Sequence, residues 1–237
     1  MKKLVLILLI LPLWSIAQTT LYLSNTSTPP ISPAFNANWV VTTGADRMLL
    51  STTKDGSTMT SKTTAASGAS GGSTRYILNR QYITAPLQAQ TIAGGSTIRI
   101  SVLSSISSTG QSSVGYLLCL LSKVSSGGTV TFLQNLTNST NSFTTTLTNR
   151  TISTALGEVT LSDGDRLIVE IGWHYSSGSN TTRTGTQSFG ADNASDLPND
   201  NTTTSTNNPV IIFSQTLNFQ TGPAPTQKGR FFKVLTD

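Results

Sequence analysis

Beyond residue 17, the apolar residues of this chain recur with a period of two and keep helical spacing nowhere for more than about two turns. Short β-branched runs alternate with clusters of Gly, Ser, Asn and Asp, which is typical of an all-β sandwich or barrel. The clearest run follows the Asp163-Gly164 turn, where alternate residues form one apolar row. Together with the single cysteine, that row is the predicted core: Cys119, Leu167, Val169, Ile171 and Trp173.

The same alternation predicts about eight to ten strands. The strands are drawn from eleven candidate segments, of which two, 150–154 and 158–161, show the pattern least clearly: residues 20–24, 38–43, 48–53, 57–63, 97–104, 114–124, 129–133, 150–154, 158–161, 161–175 and 210–218. Asp55-Gly56 is a favoured hairpin pair, so the segments on either side of it are predicted to pair. Strands of this number with long connections fit a two-sheet antiparallel β-sandwich that resembles a jelly roll.

The first residues predict export. Lys2 and Lys3 precede an apolar run, and Ser15 and Ala17 supply small residues before a cleavage site at Gln18. The apolar run is shorter than the ~20 residues that a membrane-spanning helix needs. We therefore predict a signal peptide at 1–17, a β-sandwich domain at 18–221 and a C-terminal tail or edge strand at 222–237. The expected location is extracellular or at the cell surface, with membrane contact only through the signal peptide.

Residues that could perform chemistry are scarce. The chain has one His, one Cys and ten carboxylate residues, and no nucleophile or phosphate-binding motif. His174 and Glu170 share a predicted strand face but stand about 13 Å apart, too far to act as one acid–base pair. The scattered positive residues do not form a nucleic-acid surface. We predict a protein that is not an enzyme, with a glycan-active hydrolase as the least favoured alternative.

Two groups of residues are candidate binding sites. Asp192, Asp196 and Asp200 concentrate oxygen ligands in one loop, which would suit a structural Ca²⁺ ion, although such residues also simply favour turns. No other cofactor is expected. Aromatic side chains near loops could bind a sugar, and this speculative site comprises Trp39, Tyr76, Tyr82 and His174.

Several stretches resemble a family of bacteriophage tail and minor virion structural proteins, which has prophage and bacterial surface relatives. The most specific are GDRLIVEIG within residues 147–174 and the ASDLP…TTTSTNNP…FSQT stretch within residues 189–217. Residues 20–39 and 81–92 are also similar. The resemblance implies a virion-associated β-domain without established catalysis.

Two functional hypotheses follow from the sequence. The first is an exported or virion-associated structural or adhesion domain that associates with itself or with other surface or virion proteins. The alternative is a carbohydrate-binding module that recognises a cell-surface glycan.

Overall fold

A computed structural model of the chain describes residues 17–66, 74–109, 114–176 and 182–220. The predicted tail and all but the last residue of the predicted signal peptide lie outside these ranges. The described residues contain no helix, and hence none that could cross a membrane. They form thirteen strands: β1 (Thr19–Leu23), β2 (Asp46–Ser51), β3 (Thr60–Ala66), β4 (Thr74–Ile83), β5 (Gln90–Ile92), β6 (Thr97–Ile106), β7 (Val114–Val124), β8 (Val130–Thr137), β9 (Thr148–Ala155), β10 (Val159–Leu161), β11 (Arg166–Ser176), β12 (Arg183–Phe189) and β13 (Val210–Phe213).

The all-β prediction is confirmed, and the strands form two layers. Layer A contains β3, β12, β6, β13 and β1, with β9 on the other edge of β6. Layer B contains β2, β4, β11, β7 and β8. A short pairing of β1 with β2 joins the layers, while β5 and β10 form a separate small sheet. This arrangement is consistent with the predicted sandwich, although β2 pairs with β4 in parallel.

Two local predictions are wrong. Gly56 has a positive φ of 69°, but Asp55-Gly56 does not form a hairpin turn, because the strands around it do not pair with each other. Instead, β2 pairs with β1 and β4, whereas β3 pairs with β12. Residues 38–43 do not form a strand, and only a single bridge connects Val41 to Ile77. Both errors arise because long-range partners outweigh the local pattern.

The predicted core residues lie together between the layers. All five are fully buried in one cluster that also contains residues of layer A. The Trp173 ring stacks on Tyr175 at 5.3 Å, and Gly185 of β12 lies so close that an added Cβ would overlap the indole. Burial also raises the pKa of the Cys119 thiol, as expected for an unreactive core cysteine.

A bulge in β4 brings polar side chains into this core. Ile171 pairs with Arg80 and Gly172 with Leu78, so Asn79 is an extra residue in the ladder. Its amide accepts a hydrogen bond from Thr64 (2.5 Å) and donates one to Gln187 (2.8 Å). Gln187 in turn donates to the Gly172 carbonyl (3.1 Å). These bonds connect β3, β4, β12 and β11 and thus link the two layers.

Two irregular segments cover the outer faces of the sandwich. Strap B, residues 27–45, crosses layer B, where Trp39 packs with Leu78, Leu118 and Leu120. Strap A, residues 190–209, crosses layer A, where Leu197 is buried. The Pro198 carbonyl accepts a hydrogen bond from Asn149 (2.9 Å). These straps therefore cover part of the outer face of each layer.

Candidate functional site

Glu170, one of the two glutamates, anchors strap B. Its carboxylate is buried and accepts hydrogen bonds from Trp39 Nε1 (2.8 Å), Gln81 Nε2 (2.9 Å) and the Asn36 backbone N–H (3.1 Å). Burial raises the pKa of the Glu170 carboxyl, although these hydrogen bonds oppose the shift. Since all three partners donate hydrogen bonds, the site favours the carboxylate of Glu170 as acceptor. This carboxylate thereby connects strap B to layer B.

The packing of Trp39 depends on the absence of a side chain beneath it. A Cβ at Gly172 would lie 2.9 Å from the Trp39 ring and would overlap the Ile77 carbonyl. The indole therefore rests directly on the backbone of β11, two residues from Glu170. Thus one strand supplies both the surface and the hydrogen-bond acceptor that hold strap B.

His174 lies on the same face of β11, between two tyrosines from the neighbouring strands. The ring of Tyr116 on β7 stacks against the imidazole with centroids 5.4 Å apart, and Tyr76 on β4 lies 6.0 Å away at a tilt. Burial lowers the pKa of His174, and its Nε2 atom is buried without a hydrogen-bond partner. The imidazole is therefore part of an aromatic row, Tyr76–His174–Tyr116, and does not contact Glu170 within the described structure.

The structure separates the aromatic residues that sequence analysis grouped as a sugar site. Trp39 is 6% exposed and Tyr82 fully buried, with its hydroxyl donating to the Ser24 carbonyl (3.1 Å). Neither ring is placed where a sugar could stack on it. Tyr76 and His174 do lie together, and Tyr116 is the neighbour that sequence analysis missed. The pairing of β7 with β11, which aligns Tyr116 with His174, could not be read from local sequence.

The three loop aspartates occupy different places along strap A. Asp196 forms an ion pair with Lys54 (3.0 Å) and accepts hydrogen bonds from Asn208 (3.0 Å) and Tyr22 (3.3 Å). Asp192, in contrast, is exposed. No group of three His, Cys, Asp or Glu side chains that could hold a metal occurs in the described ranges.

Asp200 connects strap A to β9 through hydrogen bonds. Its carboxylate accepts hydrogen bonds from the Thr203 hydroxyl (2.6 Å), the Asn149 amide (3.0 Å) and the backbone N–H groups of Thr202 and Thr203. These bonds lower the pKa of Asp200 to about 2. Asp200, one of the three candidate calcium ligands, thus connects strap A to the sheet through its own hydrogen bonds.

Strand β8 forms an edge of layer B. It pairs with β7 on one side, and it contains no charged residue and no proline. Val130 and Phe132 are 42% and 45% exposed, and both are among the few large apolar side chains that the described surface exposes. A bulge at Leu133 interrupts its register with β7. An uncharged edge with exposed apolar side chains can pair with a further strand.

Neither a protein-family model nor a curated protein matches the sequence. Among solved structures, a CocE/NonD family hydrolase from Staphylococcus aureus is similar, with a TM-score of 0.44, 9% identity, and coverage of 83% of this chain and 36% of that one. The VP2 protein of infectious bursal disease virus in T=1 particles has a TM-score of 0.29 and 12% identity, with coverage of 77% and 43%. The chain therefore spans less than half of either structure. Because both TM-scores lie below 0.5, neither likeness supports an argument about function.

Proposed function

We propose that this chain is a non-enzymatic structural or adhesion domain, exported by a cleaved signal peptide, that associates with itself. The observation that carries the proposal is that two of the few residues able to do acid–base chemistry make contacts within the fold. Glu170 is buried under strap B, and His174 is held within the row of aromatic rings. Groups that stabilise the fold in this way are not available to a substrate. A virion-associated role for the same domain is the alternative location.

Strand β8 supports the self-association. Two copies can pair their β8 edges in antiparallel fashion about a twofold axis, because an uncharged strand meets no like charge in its own copy. Such pairing would satisfy outward backbone groups and cover the side chains of Val130 and Phe132. The partner that fits this edge is therefore a second copy of the chain.

Light scattering coupled to size-exclusion chromatography tests this proposal. The wild-type protein is expected to form a dimer or larger species as concentration rises, and Phe132→Lys is expected to shift it to the monomer. Val40→Lys is the matched control, because Val40 is also exposed (55%) but lies on strap B. A wild-type protein that stays monomeric, or an unchanged assembly in Phe132→Lys, would contradict self-association through β8.

A second candidate function, glycan binding, is favoured by the aromatic row. Beside it, a cavity of about 270 Å³ is lined by Asn38, Tyr76, Leu118, Leu120 and Asn135. Because the ring of His174 stacks on that of Tyr116, a sugar would meet ring edges and hydroxyls more than an open ring face. Binding on a glycan array that is lost in Tyr76→Ala, which removes the aromatic side chain that lines the cavity, would support this function, and an array without signal would contradict it.

A further inference from the structure

A second, larger cavity lies at the end of layer B where β7 turns into β8. It has a volume of about 430 Å³, within the usual size range of small-molecule sites. Five segments line it: strap B near its start, the loop after β4, the β7–β8 turn, the turn before β11 and the segment after β13. The cavity is separate from the aromatic row, and none of the sequence-predicted site residues lines it.

The walls of this cavity combine apolar and neutral polar groups. Ile31, Pro33, Pro86 and Val124 supply the apolar surface. Hydroxyl and amide groups come from a second set: Ser32, Ser125, Ser126 and Gln220. Among the described residues no carboxylate lines the cavity, and Arg166 supplies the only ionisable side chain there.

Arg166 supplies a positive charge that no acidic side chain balances. Its Nη1 group donates to the Thr84 carbonyl (2.9 Å), which fixes the guanidinium at the cavity wall. This is its one hydrogen bond in the described structure, although a guanidinium has five N–H donors, and none of the four ion pairs found there includes it. The adjacent Asp165 faces Lys123 instead (3.8 Å).

The environment of Arg166 favours an anion. The side chain is half-buried, and desolvation lowers its pKa. A bound anion would accept hydrogen bonds from guanidinium N–H groups that no acceptor among the described residues meets. A carboxylate matches the fork of a guanidinium better than a spherical ion does, because both are planar and can form two parallel hydrogen bonds.

We propose that this cavity binds a carboxylated monosaccharide, such as a hexuronate unit of an acidic glycan. Arg166 would hold the carboxylate, the serine hydroxyls and the Gln220 amide would bond the sugar hydroxyls, and the proline and aliphatic surfaces would contact the C–H face of the ring. Since strap B supplies part of the wall, the ligand would also brace this strap. The inference goes beyond the proposed function and does not depend on self-association through β8.

Calorimetric titration of the full chain with glucuronate tests the inference, with glucose as the neutral control. Glucuronate is expected to bind at least roughly tenfold more tightly than glucose, and added salt should weaken its binding. Arg166→Gln should weaken binding of glucuronate by roughly tenfold or more. Lys54→Gln removes the same charge outside the cavity and should leave binding unchanged.

Two results would overturn the inference. One is equal binding of glucuronate and glucose. The other is unchanged glucuronate binding in Arg166→Gln. If that variant does not fold, backbone amide shifts of the wild-type protein decide the question: glucuronate should shift Gly128, Gly164 and Gln220, and shifts confined to other regions would refute the site. The oligomeric state of the same samples tests self-association separately.

Discussion

At the residue scale, Glu170 shows how a lone acidic group can stabilise a fold. Its carboxylate receives donors from strap B and from the neighbouring strand, so its hydrogen bonds connect parts of the chain that are distant in sequence. A catalytic carboxylate needs access to substrate, whereas this side chain is 2% exposed. Sequence spacing correctly separated Glu170 from His174, but only the fold shows what each contacts instead.

Replacing Glu170 by Gln should lower the free energy of unfolding by about 1–3 kcal/mol. The amide keeps one acceptor oxygen but turns an N–H₂ group towards donors, which leaves buried groups unsatisfied. Chemical denaturation followed by tryptophan fluorescence measures the change. Glu158→Gln is the control, because the only other glutamate is exposed and should tolerate the substitution. Equal stability of Glu170→Gln and wild type would refute the anchoring role.

The hydrogen bonds of Asp200 should make the local stability of strap A depend on pH. Its folded pKa of about 2 lies below the ~3.9 of an unperturbed aspartate. The stabilisation is therefore complete above about pH 4 and disappears as the pH falls through the folded pKa. The protection factors of the Thr202 and Thr203 amides, which correct for the slower intrinsic exchange in acid, should fall as the pH is lowered across this window. Asp200→Asn should remove this pH dependence, whereas substitution of the exposed Asp192 by Asn should leave it intact. If protection of these amides had the same pH dependence in Asp200→Asn as in wild type, Asp200 would not be its source.

At the element scale, the sequence predicted strands best where alternation continues over many residues. In β11 the apolar row from Leu167 to Trp173 faces the core as expected. Residues 38–43 are rich in β-branched and aromatic residues, yet they form part of strap B because Trp39 packs on Gly172 and bonds to Glu170 of a distant strand. No local pattern encodes such a contact.

Strand β12 shows the opposite case, because its sequence is too polar to indicate a buried strand. It is nevertheless enclosed by β3 and β6, and its Gly185 gives the Trp173 ring the space that it occupies. The residues of the candidate sites were likewise predictable only in part. His174 and Tyr76 were named from sequence, while Tyr116 and Arg166 depend on strand pairing and loop packing that the sequence does not reveal locally.

At the scale of the whole molecule, the two ends of the described chain meet. β1 pairs with β13 on one side and with β2 on the other, so the first strand joins layer A to layer B. The Leu217 N–H also donates to the Thr19 hydroxyl (2.7 Å). In the described structure β1 reaches the rest of layer A only through β13, so the backbone link between the layers is complete only once β13 has paired. We expect the two layers to unfold as one cooperative unit because they share β1 and one core.

Leu21→Ala tests this cooperativity. Leu21 is fully buried at the centre of β1, and its truncation should lower the free energy of unfolding by about 2–5 kcal/mol. Because β1 belongs to the link between the layers, amides in β6 and β11 should lose protection from hydrogen exchange by the same factor. Leu197→Ala is the matched control: this leucine is equally buried, but on strap A, and its loss should mainly affect the strap. If Leu21→Ala weakened β6 and left β11 protected, the layers would be independent units, and β1 would be a strand of layer A alone.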